Sequence, residues 1–202
     1  MSKEYLISQL VNNGKLKTPA IIEAFKKIDR RDFVSPKHRD QAYEDFPIPI
    51  GYESTISQPT TVATMLEILS PQRGDRVLDV GSGSGWTTAL LANIVGPEGS
   101  VYGVELIPEL VSFGRHNTGK YNFKNARIFK AEKSLGWKKE APYDKILVSA
   151  SADSLPEELL NQLKKNGKMV IPIKSSIWQI EIKEKGEIQK KEYPGFVFVP
   201  LR

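Results

Sequence analysis

Residues 76 to 95 constrain the fold of this chain more than any other stretch. Arg76-Val77-Leu78-Asp79-Val80 reads as a short apolar strand, Gly81-Ser82-Gly83-Ser84-Gly85 as a glycine-rich loop, and Trp86 to Val95 as a helix that follows at once. Glycines at such a junction let the backbone pass close to a ligand, and the first turn of the next helix presents unpaired N–H groups. A second strand, Ser100 to Glu105, ends on an acidic residue twenty positions beyond Gly85. A carboxylate so placed can accept both hydroxyls of a ribose. Strand, loop, helix and acid together point to a nucleoside cofactor.

The spacing of the glycines narrows the choice of cofactor. The hydride-transfer fingerprint G-x-G-x-x-G has its third glycine at the place occupied here by Trp86. No Gly-Lys-Ser/Thr follows the loop, so phosphate binding of the nucleotide-hydrolase kind is not expected. The G-x-G-x-G spacing instead resembles the first motif of Rossmann-like methyltransferases, which bind S-adenosyl-L-methionine. Those enzymes release S-adenosyl-L-homocysteine.

The rest of the chain fits an α/β fold of that kind. Apolar residues at 6, 7, 10 and 11 predict a helix over 4–11. Thr18-Pro19 reads as an N-cap and a first helical position, opening a helix to about Ile28 with Ile21, Ile22, Phe25 and Ile28 inward. Pro47, Pro49, Gly51 and Pro59 break the chain before a third helix over 60–69. Strands are then predicted at 76–80, 100–105, 126–130, 144–149, 168–173 and 177–183, with a last one near 196–200. Helices are predicted at 86–95, 108–118 and 156–164, the last ending at Asn166-Gly167. Such alternation implies a mostly parallel, doubly wound sheet covered on both faces, with antiparallel strands at the C-terminal end. The expected organisation is a single domain over 1–202, with a helical substrate-cleft region at 1–59 and a cofactor-binding core at 60–202. In such a sheet the ligand lies beyond the carboxyl ends of the strands.

Composition removes several alternatives. The absence of cysteine excludes disulfides, thiolate metal sites and cysteine nucleophiles. No apolar run approaches the ~20 residues of a membrane span, and the opening MSKEYLISQL lacks a signal-peptide core, so a cytoplasmic protein is expected. The net charge of +5 arises from scattered doublets such as Lys26-Lys27 and Lys190-Lys191 with acids between them. Without clustered bases and stacking aromatics, a nucleic-acid partner is not expected. Nothing in the pattern sets an oligomeric state.

A second constellation precedes the glycine loop: Pro49-Ile50-Gly51, then Thr55-Ile56-Ser57-Gln58-Pro59. Locally it reads as a loop and a helix N-cap. Together with the glycine loop, Ile107-Pro108-Glu109-Leu110-Val111, Ala141-Pro142-Tyr143-Asp144-Lys145-Ile146, Leu163 to Gly167, Val170-Ile171-Pro172 and Phe198-Val199-Pro200-Leu201, it resembles the protein-L-isoaspartate O-methyltransferases over nearly the whole chain. That resemblance implies methyl transfer from S-adenosylmethionine to the free carboxylate of isoaspartyl residues in damaged peptides and proteins, with Ser57 as the active-site serine and Thr55 beside it. It also implies a cofactor site of Ile56, Asp79, Gly81, Ser82, Gly83, Gly85, Glu105, Leu106, Glu132, Lys133 and Gln179, with Glu105 on the ribose and no metal.

The chemistry asks for no catalytic dyad. A carboxylate with a reference pKa near ~4 is already ionised at neutral pH, so a general base is not needed and His38 and His116 have no catalytic task. Three departures from the family pattern bear on the site. Ala131-Glu132-Lys133 stands where relatives have Gly-Asp-Gly at the adenine, Glu53-Ser54 where they have Gly-Gln, and Ser149 to Asp153 where they are richer in alanine. These leave open an enzyme of the same fold with another acceptor, or a silent cofactor-binding relative.

Overall fold

The computed structural model describes residues 1–201. Two helices open the chain, α1 (Lys3–Asn12) and α2 (Pro19–Lys27). Ser2 caps α1 by accepting from the Tyr5 N–H at 3.1 Å. Thr18 holds the N-cap position of α2, but its hydroxyl is used elsewhere: it donates to Glu67, whose carboxylate also accepts the Lys17 and Thr18 N–H groups. Two 3-10 turns lead to a small antiparallel hairpin, β1 (Ile48–Gly51) and β2 (Ser54–Ile56), and then to α3 (Pro59–Leu69).

Beyond α3, strand and helix alternate as β3 (Arg76–Val80), α4 (Trp86–Val95), β4 (Ser100–Glu105), α5 (Pro108–Gly119), β5 (Ala126–Lys130) and β6 (Tyr143–Val148). The chain closes with α6 (Glu157–Leu160), β7 (Leu163–Ile173), β8 (Ser176–Ile182) and β9 (Ile188–Pro194). The large sheet has seven strands in the order β5-β4-β3-β6-β7-β8-β9. Pairs from β5 through β7 are parallel, and β7-β8-β9 are antiparallel. The chain therefore winds outward from β3 through β5 and returns to the other side of β3 at β6. That reversal opens a crevice beyond the carboxyl ends of β3 and β6.

Two apolar cores flank the sheet. One joins Leu6, Ile21, Phe25, Phe33 and Leu66 to Val77, Val101, Leu147 and Ile177, so the N-terminal helices pack onto the sheet itself. The other joins Leu78, Val104, Tyr143, Ile146, Met169 and Ile180. Helix α4 lies inside the first core, buried along its length except at Asn93, as befits a helix apolar on nearly every side. No helix among the described residues is long and apolar enough to cross a membrane.

The last third differs from the sequence reading. The helix expected at 156–164 is a single turn, because β7 begins at Leu163. Asn166-Gly167 does not end a helix but lies in a bulge. Tyr143 pairs with Leu163 while Lys145 pairs with Lys168, and Asn166 takes a left-handed φ of 60° inside the extra loop of backbone. The strand expected near 196–200 is also absent. The last strand is β9, and the following segment is joined to its neighbours by backbone hydrogen bonds to Ser175 and by an isolated bridge between Pro200 and Ser151.

Candidate active site

Four adjacent strands end at one cavity of about 380 Å³. Beyond β3 lie Gly81 and Gly83, beyond β4 Glu105 to Ile107, beyond β5 Ala131 to Gly136, and beyond β6 Ser149 and Ala150. The β1–β2 hairpin leans over the opening with Ile50, Glu53, Ser54 and Thr55. Val199 to Leu201 close the far side, held by backbone hydrogen bonds at 2.8 Å from the Ser151 N–H to Val199 and from the Leu201 N–H to Ser151.

Glu105 is the pivot of this cavity. One carboxylate oxygen accepts the Gly83 N–H at 2.9 Å and the other the Ile107 N–H at 3.0 Å, so the acid holds the glycine loop as well as facing the ligand space. Each oxygen keeps a further acceptor site, which matches a pair of vicinal hydroxyls. A side chain at Gly83 would press on the Ile50 Cδ1 at 3.3 Å, so the hairpin lies directly over the loop. Val104, Leu106, Ile107 and Leu135 add apolar walls suited to a nucleoside base. The residues present fit S-adenosylmethionine in kind: a carboxylate for the ribose, a loop that presents only Gly81 and Gly83 to the cavity, and apolar walls.

The acid at the β5 end is arranged differently from the sequence expectation. Glu132 and Lys133 line the cavity, but the Glu132 carboxylate is ion-paired with Lys139, whose ammonium lies 4.8 Å from the centre of the Trp137 ring. Trp137 in turn stacks on Phe129 at 4.5 Å. The loop between them is fastened by Gln162, a buried residue with no signal in the sequence. Its amide accepts from the Trp137 N–H and donates to the Leu135 and Glu158 carbonyls, each at 2.8 Å.

A second, smaller cavity of about 30 Å³ lies behind the loop. Thr55 lines both cavities, and Ile56, Ser57 and Ser82 line the small one. Ser82 Oγ and Trp86 Nε1 are buried there without a protein partner.

Three of the expected site residues lie elsewhere. Asp79 is wholly buried and lines neither cavity. One of its oxygens accepts the hydroxyls of Thr87 at 2.8 Å and Thr88 at 2.6 Å, tying β3 to the start of α4, while the other is unpaired. Burial pushes its carboxyl up to about 6, with the Glu105 charge adding and the two hydroxyls opposing. Gly85 faces α5, where an added Cβ would meet the Gly114 carbonyl oxygen at 2.9 Å. Gln179 sits within β8 opposite Val170 and Lys191. It donates to Glu181 and accepts from the Tyr193 hydroxyl, away from both cavities.

A seven-stranded, mostly parallel sheet with a nucleoside-sized cavity at its switch point and a carboxylate on the adjoining strand is a nucleoside-cofactor architecture, and its likeness to a solved methyltransferase bound to S-adenosyl-L-homocysteine makes the class S-adenosylmethionine-dependent methyltransferase. The model of the protein-L-isoaspartate (D-aspartate) O-methyltransferase family matches residues 1–202, and the chain belongs to that family. It is 43% identical over 205 residues to a protein-L-isoaspartate O-methyltransferase of Methanopyrus kandleri, covering 99% of this chain and 91% of the relative. A relative from Ignicoccus hospitalis with the same description is 43% identical over 204 residues, covering 98% and 96%. Among solved structures, one from Plasmodium falciparum described as an enzyme of this family, in complex with S-adenosyl-L-homocysteine, superposes with a TM-score of 0.88. It is 28% identical and covers 100% of this chain and 99% of its own.

Proposed function

We propose that this chain methylates the free carboxylate of L-isoaspartyl residues in peptides and proteins, using S-adenosyl-L-methionine, with Thr55 and Ser57 orienting the acceptor. The observation that carries the residue roles is the position of the Thr55-Ile56-Ser57 segment: it spans the partition between the large cavity and the small one, beside the glycine loop. Family membership carries the choice of acceptor. When bound, the cofactor supplies an electrophilic methyl group on a sulfonium, whose loss leaves the neutral thioether S-adenosyl-L-homocysteine.

The protein's own work is orientation and exclusion of water. The acceptor oxygen is already anionic at neutral pH and provides the electron pair of the new C–O bond, so no residue needs to remove a proton. A hydroxyl at Thr55 or Ser57 can donate to the carboxylate oxygen that does not react, fixing the other in line. A neutral donor suits this task better than a cation, which would hold the carboxylate too firmly and blunt it as a nucleophile. Glu53 stands exposed at the hairpin tip, where its charge is screened over roughly 8–10 Å at ordinary salt. The methyl ester formed on an isoaspartyl residue can collapse to a succinimide when the neighbouring backbone nitrogen attacks its carbonyl and expels methanol, the amide proton going to the departing methoxide, and hydrolysis of that ring restores part of the normal aspartate.

The test is methyl transfer to a matched peptide pair, one with isoaspartate and one with aspartate, read by mass. The expected result is methylation of the isoaspartyl peptide alone. Ser57→Ala should lower kcat by on the order of 10–100-fold while S-adenosylhomocysteine affinity holds, since only acceptor alignment is lost. Methylation of neither peptide by a chain that binds S-adenosylhomocysteine would move the assignment to another acceptor. An unchanged kcat in Ser57→Ala would remove Ser57 from the mechanism.

A further inference from the structure

Arg30 is a buried cation whose hydrogen-bonding groups meet no carboxylate. It is 2% exposed and its guanidinium donates to four backbone carbonyls: Nη1 to Ala42 at 2.8 Å and Glu44 at 3.2 Å, Nη2 to Phe46 at 3.0 Å and Ser57 at 3.0 Å. It forms no ion pair among the described residues, and the carboxylate of the neighbouring Asp45 is taken by the N–H and hydroxyl of Thr60 in the first turn of α3. The Arg30 Cζ lies 5.3 Å from the centre of the Trp86 ring, at the start of the helix that follows the glycine loop. Its own backbone is pinned from outside, since the adjacent Asp29 N–H donates to the Tyr121 hydroxyl and the Asp29 carboxylate accepts the Arg31 N–H.

This arrangement connects the two halves of the site. On one side of the guanidinium is the indole that begins α4; on the other is the carbonyl of Ser57. We propose that Arg30 is a positioning residue for methyl transfer, fixing the Ser57 backbone against the cofactor loop so that acceptor and donor meet in line. The inference rests on the role given to Ser57 above.

Two features separate this reading from plain structural support. A site that needed only packing would be served by an apolar side chain at lower desolvation cost. What a guanidinium adds is a planar fork that fixes several acceptors at once, which the single ammonium of a lysine cannot reproduce. The fork also reaches only carbonyl oxygens, so it sets backbone positions and makes no bond to the hydroxyl of Ser57, whose residue lines the small cavity. Burial lowers the guanidinium to about 9, opposed by the charge of Asp45, so it remains a cation at neutral pH.

The test compares Arg30→Lys and Arg30→Gln with the unaltered chain and with Ser57→Ala. Each protein is confirmed as folded by circular dichroism in the presence of S-adenosylhomocysteine, then assayed on an isoaspartyl peptide. The expected result is a fall in kcat on the order of 10–100-fold in both Arg30 variants, with a much smaller change in peptide KM and none in S-adenosylhomocysteine affinity. Unchanged kcat in a folded Arg30 variant, with Ser57→Ala impaired, overturns this proposal and leaves the Ser57 role standing. An unimpaired Ser57→Ala overturns both. Loss of S-adenosylhomocysteine binding, or failure of both variants to fold with it present, also overturns the proposal, because Arg30 would then be a pin of the fold.

Discussion

Asp79 shows how one residue can be legible as important and still be misplaced. The sequence sets it beside the glycine loop, which suggests ligand contact. Strand geometry instead turns its side chain under the loop, onto the hydroxyls of Thr87 and Thr88. The burial that follows has a thermodynamic sign. A folded-state carboxyl raised to about 6 binds its proton more tightly than in the unfolded chain, so stability falls as pH rises from about 4 through about 6. Asp79→Asn should remove that dependence. The stability of the unaltered chain relative to this variant should drop by on the order of 2–3 kcal/mol between about pH 4 and about pH 7, measured by urea unfolding. A difference that stays constant with pH would show that the carboxyl titrates normally. Glu105 is the contrasting case: its place at the end of β4 follows from the strand pattern, and the structure sets it on the cavity. Gln179 could not be placed by pattern, because a strand run identifies a strand but not which neighbour pairs with its middle.

At the scale of elements, the sequence was most readable where helix and strand alternate with short links. The runs predicted for β3, α4, β4 and β5 match the observed bounds. It was least readable after β6, where Asn166-Gly167 has the chemistry of a helix end and the sheet uses it for a bulge. The packing of α4 against α5 was invisible, because it rests on two glycines that meet across the interface. A Cβ at Gly114 would lie 2.9 Å from the Gly83 carbonyl oxygen and 3.0 Å from the Ile128 Cδ1. Alanine in a helix interior ordinarily stabilises by about 1 kcal/mol over glycine. Gly114→Ala should do the reverse, since the contact is with backbone that cannot swing aside, and it should weaken S-adenosylhomocysteine binding by displacing the loop. Gly85→Ala should be worse. Its φ of +86° is left-handed and its Cβ would sit 2.9 Å from the Gly114 carbonyl oxygen, together a loss of at least about 2 kcal/mol. Thermal unfolding with and without S-adenosylhomocysteine reads both effects, and a Gly114→Ala chain as stable as the original would refute the close-packing account.

For the whole molecule, the decisive fact is that the N-terminal helical region and the sheet share a core. Phe25 meets Trp86 edge-on at 5.6 Å, and Leu6, Ile21 and Phe33 belong to the same apolar cluster as Val77, Val101 and Leu147. Arg30 and Asp45 then lock the loops above that cluster to Ser57 and Thr60. A region built this way buries its apolar side chains against the sheet and not in a core of its own, so it should fold only with the sheet. The expectation of a single domain becomes a test of cooperativity. Trp86 lies in the core that contains the N-terminal helices, whereas Trp137 and Trp178 pack against the core on the opposite face. With Trp137→Phe and Trp178→Phe combined, fluorescence reports the first core alone; with Trp86→Phe it reports the second. Denaturant midpoints from both variants, each compared with its own circular dichroism, should coincide within each protein. A Trp86 transition that precedes the loss of strand signal would instead make the N-terminal layer a separately melting cover over the cofactor crevice.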